Sequence, residues 1–93
     1  VTAHADLCDE IKDWLTKAGA WFFRPNSHGY GKKGVPDFVA CYQGRFVAIE
    51  AKVAPDKPKP WQARCIADIQ SAGGIAIVVH DVAELGRVFI PKT

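Results

Sequence analysis

Asp37, Glu50 and Lys52 are the residues whose types and spacing can do chemistry. Asp37 opens an apolar run that ends at Tyr42, Glu50 and Lys52 close a second run that begins at Arg45, and only Gln43-Gly44 separate the two. A two-residue connection containing glycine favours a tight hairpin, because glycine accepts positive φ. Tyr42 then pairs with Arg45, and counting back along both strands sets Asp37 opposite Glu50. Directly paired Cβ atoms lie about 4.5–5.5 Å apart, a spacing at which like charges repel. Val39, Cys41, Phe46 and Ala48 share their face by alternation and suit a buried surface. Water therefore compensates the two acids only in part: either one carboxyl takes a proton, or a cation sits between them. Lys52 follows Glu50 by two positions and points to the same side, adding an ammonium. The same trio also reads as a static ion-pair network at a hairpin end.

Helices must bring the remaining groups to this hairpin. Thr2 to Ala18 carries Leu7, Ile11, Trp14, Leu15 and Ala18 at helical spacing, ahead of Gly19. Glu10 falls on or beside that stripe, where a carboxylate needs a partner, whereas Asp6, Asp9 and Asp13 read as solvated charges. Ala20 to Arg24 is a short aromatic strand, and Pro25 to Gly34 is a glycine-rich loop. After the hairpin, Pro55, Pro58 and Pro60 break the chain, and a helix is expected from Pro60, a residue suited to a first turn, to about Ala72, before Gly73-Gly74. Gln62, Ile66 and Ile69 share one face of it, so an amide heads an apolar stripe, either serving the hairpin or capping backbone groups. Ile75 to Val79 is a β-branched run of the kind found inside a sheet. Asp81 and Glu84 resemble a capping box for a last short helix, and Val88 to Ile90 suggests an edge strand. The order predicts an α/β fold, a small mixed β-sheet flanked by helices.

Gly34-Val35-Pro36-Asp37, the strand ending Ile49-Glu50-Ala51-Lys52, and the helix carrying Gln62 together resemble the PD-(D/E)XK nuclease superfamily. Within it the chain most resembles the virus-type replication-repair nuclease domain, VRR-NUC, which is similar to Holliday junction resolvases. The resemblance runs from Glu10 to Gly73-Gly74 and implies a restriction-endonuclease-like αβββαβ core. It implies that Asp37, Glu50 and the carbonyl of Ala51 hold a divalent ion, with Glu10 joining directly or through water. Lys52 would orient or deprotonate the attacking water, and Gln62 would hold that water or Lys52. Hydrolysis of a DNA phosphodiester to a 5′-phosphate and a 3′-hydroxyl follows from the same resemblance, as does a homodimer placing two sites across a branched junction. Oxygen donors suit Mg²⁺, with Mn²⁺ as a substitute, and neither a thiolate nor an imidazole is expected to compete.

The bulk properties set limits rather than a function. At 93 residues, 48% hydrophobic and 24% charged, the chain has the composition of a single globular domain spanning 1–93. A net charge of +2 permits nucleic-acid binding without requiring it. Cys8, Cys41 and Cys65 suggest three buried thiols in a reducing cytosol rather than a disulfide framework or a zinc cluster. No apolar run reaches the roughly 20 residues that span a bilayer, so a cytoplasmic, intracellular protein with no membrane partner is expected. Two basic clusters are candidate DNA contacts: Arg24, Ser27, Tyr30, Lys32 and Lys33 around the glycine-rich loop, and Lys57, Lys59 and Arg64 around the start of the second long helix. Phosphate contacts do not read sequence, so structure-selective cutting is expected, on four-way junctions or else on flaps or ends. A non-catalytic DNA-binding module keeping the fold is the reading from another class. Trp21, Phe22, Phe23, Val88, Phe89 and Ile90 are strand core or, in part, a dimer contact.

Overall fold

Thr2 starts the first helix: its hydroxyl accepts a hydrogen bond from the Ala5 N–H at 3.0 Å, satisfying a donor that has no partner within the helix. This helix, α1 (Ala3–Lys17), leads to β1 (Trp21–Phe23), β2 (Phe38–Tyr42), β3 (Arg45–Ala51), α2 (Pro60–Ser71) and β4 (Ile75–Val79), followed by a 3₁₀ helix over Val82–Arg87. The computed structural model describes residues 2–25 and 32–90.

The four strands lie in the order β1-β2-β3-β4. The first three pair antiparallel, and β3 pairs parallel with β4 across the α2 crossover, giving a mixed sheet with helices on its faces. Pro60 opens α2, as its preset φ and missing N–H predict. Glu84 accepts from the N–H groups of His80 and Asp81 at 2.8 and 2.7 Å, and Asp81 accepts from Ala83 at 2.8 Å, so the expected cap forms.

One sheet face holds the main core. Leu7, Cys8, Ile11 and Leu15 of α1 pack on Phe38, Ala40, Tyr42, Val47, Ile49, Ala51 and Val79, closed by Leu85 and Phe89. Ile11 and Leu15 are fully buried, and each such side chain contributes roughly 1.5–3 kcal/mol by leaving water. The stripe they form fixes the rotation of α1 and leaves Glu10 exposed.

The opposite face is covered only in part. α2 packs against β4 and buries Cys65, while Trp21 (67% exposed), Phe23 and Phe46 stand open to solvent. Cys41, paired with both Trp21 and Phe46, is also exposed, so only Cys8 and Cys65 are buried thiols. The expected strand over Val88 to Ile90 does not form. Phe89 instead sets its ring edge-on against Trp14 and Tyr42, each at 5.1 Å between centroids, and reaches burial by packing alone. So short an apolar run carries no period that separates the two outcomes.

Candidate active site

The Gln43-Gly44 turn has φ of 49° and 80°, the double left-handed geometry that matches the twist of a two-residue hairpin. It fixes Tyr42 opposite Arg45 and, strand end to strand end, Phe38 opposite Ile49. One further step brings Asp37 to the face of Glu50, as the count from sequence requires. Asp37 Oδ2 accepts from the Ala51 N–H at 2.9 Å, which ties this carboxylate to the end of β3.

Glu50 is the buried charged side chain among the described residues, 3% exposed. Lys52 Nζ stands 3.6 Å from its Oε2, and Gln62 Nε2 donates to the same oxygen at 3.1 Å. Gln62 is placed by α2: its Oε1 accepts from the Lys59 N–H at 2.9 Å, so one amide caps the helix and steadies Glu50. The expected backbone cap by Gln62 forms, and in the site its amide reaches Glu50 rather than Lys52. Lys52 is held through its backbone, its N–H donating to Val79 O at 3.0 Å and its carbonyl bonded to His80 Nδ1 at 2.9 Å.

Burial, and next the Asp37 charge, push the Glu50 carboxyl up from 4.5 to about 7 against the opposing pull of Lys52. With the folded value above the unfolded one, the folded chain keeps a proton that the unfolded chain releases. Metal-free stability should therefore fall as pH rises from about 4.5 to about 7. Glu50→Gln should remove that fall and gain roughly 1–3 kcal/mol at pH 8. Urea unfolding in a chelator at pH 5 and pH 8 measures it; equal pH dependence in both chains would refute the assignment.

α1 brings two groups that the sequence reading missed. His4 Nε2 lies 3.5 Å from Asp37 Oδ2 and 3.8 Å from Cys8 Sγ. Arg24 NH2 stands 3.6 Å from Asp37 Oδ1 and 3.5 Å from Cys8 Sγ. Burial, and then the Asp37 charge, push the Cys8 thiol up, while Arg24 pulls it down. An imidazole and a thiol therefore do border the acids, contrary to the expectation that neither would. The signal was available: His4, Cys8, Ile11 and Leu15 continue one helical stripe back toward the N-terminus. Glu10 is not brought to this site. It lines a separate depression with Asp6, Val53, His80 and Asp81, because α1 turns Leu7 and Cys8 toward the hairpin.

The basic residues divide. Arg24 faces the acids, and Lys33 Nζ lies 4.4 Å from the centre of the Trp61 ring at the start of α2, with Lys59 5.9 Å away. Lys32 and Lys57 are exposed. Arg64 is held at 3.3 Å by Asp68 on the same helix. Ser27 and Tyr30 lie outside the described residues.

An acid pair at the end of a hairpin, with a lysine on the second strand and a crossover helix alongside, is the architecture of a compact nuclease fold. Solved structures share it. A VRR-NUC domain superposes with a TM-score of 0.79 over 95% of both chains at 20% identity. A second VRR-NUC domain protein gives 0.74 at 16% identity, covering 94% of this chain and 84% of that one. The Holliday junction resolvase Hjc of Archaeoglobus fulgidus, an archaeal hyperthermophile, gives 0.62 at 22% identity over 80% of this chain and 64% of its own. The chain therefore has the VRR-NUC and resolvase fold. No family model matches the sequence, and no curated protein matches it significantly.

Proposed function

We propose that this single domain is a metal-dependent endonuclease that hydrolyses DNA phosphodiester bonds, selective for branched DNA such as four-way junctions. The observation that carries the proposal is the nearly buried Glu50 facing Asp37, with Lys52 and Gln62 converging on the same carboxylate. Two acids so placed fit a divalent cation, since a positive charge between them offsets the burial and the Asp37 repulsion that raise the Glu50 carboxyl. Asp37, Glu50 and the Ala51 carbonyl would hold it, and their hard oxygen donors suit Mg²⁺, with Mn²⁺ as a substitute. When bound, such an ion supplies Lewis acidity toward a phosphoryl oxygen and acidifies a water. Lys52 orients the attacking water, accepts or shares its proton, and offsets the charge growing on the phosphate. Gln62 keeps Glu50 in place. Glu10 takes no part in this reading, and His4 stands at the acids from α1 instead.

Arg24 beside Asp37, and Lys33 and Lys59 against the Trp61 ring, would take DNA phosphates, as would Lys32 and Lys57, while Trp61 offers a ring for a splayed base. Arg64, already engaged by Asp68, is the weakest candidate of that set. A homodimer belongs to the proposal, with the open apolar face of Trp21, Phe23 and Phe46 as the contact for a second copy. An intracellular setting belongs to it too. The three cysteines are free, and among the described residues no helix is long and apolar enough to cross a membrane.

The deciding experiment incubates the purified chain with linear, flap and four-way DNA in Mg²⁺ or Mn²⁺, beside Asp37→Ala. Cutting of the four-way substrate above the linear one is expected, with no cutting by the variant and no heat of Mg²⁺ uptake by it in calorimetry. Flap or end cutting alone would correct the substrate. DNA binding without any cutting would make the chain a binding module. Sedimentation of the same sample should read a dimer, and a monomer would remove the two-copy arrangement.

A further inference from the structure

His4, Cys8 and Asp37 each offer one donor atom, and the three atoms lie within 4.8 Å of one another. A nitrogen, a sulfur and a carboxylate oxygen at the corners of one small triangle make a different donor set from the oxygens of Asp37, Glu50 and Ala51. Bond lengths of about 2.0–2.3 Å to nitrogen, oxygen and sulfur give tetrahedral edges of roughly 3.3–3.8 Å. The separations of 3.5 Å from His4 Nε2 to Asp37 Oδ2 and 3.8 Å from His4 Nε2 to Cys8 Sγ already fall in that range. His4 and Cys8 stand one helical turn apart, a spacing that presents two side chains to one ion.

Arg24 gives an independent sign that the point favours positive charge. Its guanidinium stands 3.5 Å from Cys8 Sγ and 3.6 Å from Asp37 Oδ1. The Arg24 and His4 side chains are 51% and 47% exposed, so solvent reaches this side of the cluster. We propose that His4, Cys8 and Asp37 form a three-ligand site for a borderline-soft divalent ion such as Zn²⁺, with a water as fourth ligand. The site shares Asp37 with the oxygen-donor site but does not use Glu50, and it stands on its own geometry whether or not the chain cuts DNA.

The test titrates the metal-stripped native chain with Co²⁺, which reports both a thiolate ligand and tetrahedral geometry by absorption. A near-ultraviolet thiolate-to-cobalt band and intense visible bands are expected, both displaced by Zn²⁺. Cys8→Ser should lose the charge-transfer band. His4→Ala, at an exposed position, should keep the fold and bind Co²⁺ at least tenfold more weakly. Glu50→Gln should keep the charge-transfer band, which separates this site from the oxygen-donor one. A chain with no such band at excess Co²⁺, a band that survives Cys8→Ser, or an affinity unmoved by His4→Ala overturns the proposal.

Discussion

Lys52→Ala is expected to slow DNA cleavage roughly 10²–10⁴-fold, the usual loss when a positioned proton-transfer group is removed. The fold should tolerate the change. The two backbone bonds at position 52, to Val79 O and His80 Nδ1, do not involve the lost side chain. DNA affinity should also persist, since the Lys52 side chain is only 15% exposed and its ammonium lies 3.6 Å from Glu50 Oε2. Losing it removes a charge that lowers the Glu50 pKa and that also repels a bound cation, so the ion affinity would shift. The comparison therefore belongs at saturating Mg²⁺, in single-turnover rates. An unchanged rate there would remove Lys52 from the chemistry and leave it as a counter-ion.

Gly34→Ala should cost roughly 2–4 kcal/mol, one of the largest losses open to a single methyl group in this fold. Gly34 has a φ of 82°, and a Cβ there would run into the backbone carbonyl of Trp61. Backbone in the first turn of α2 cannot step aside as the end of a side chain can. The two segments meet this closely because the loop before Asp37 and the start of α2 converge on the same acids, so the variant should also disturb Gln62. Gly19→Ala is the matched control: its φ is 77°, but nothing lies within 4 Å of an added Cβ, so only the left-handed backbone penalty of about 1–2 kcal/mol applies. Urea unfolding of both variants reads the difference. Equal losses would mean that the Gly34 contact yields easily.

The hairpin was legible from sequence because everything that determines it is local. Turn chemistry sets the loop, alternation sets the faces, and Asp37, Glu50 and Lys52 follow by counting. Pro60 and the run from Ile75 to Val79 were legible for the same reason. The rotation of α1 was not, since it is decided by which residues fit the distant sheet. A shift of one position, about 100° around the helix, separates buried Ile11 from exposed Glu10. Cys41 shows a related limit. Alternation assigns it to the face of Glu50, but a helix of 12 residues seated over β4 does not reach it. Coverage of a face is a property of the assembled layers, and no single strand encodes it.

His4 lies in the opening turn of α1, held there by the Thr2 hydroxyl. Helix ends fray more readily than helix middles. When that turn unwinds, the imidazole leaves and the acids remain with the hairpin alone. On the two proposals above, the choice of cation would be coupled to helix-end dynamics, while the proposed phosphate chemistry would stay with the hairpin.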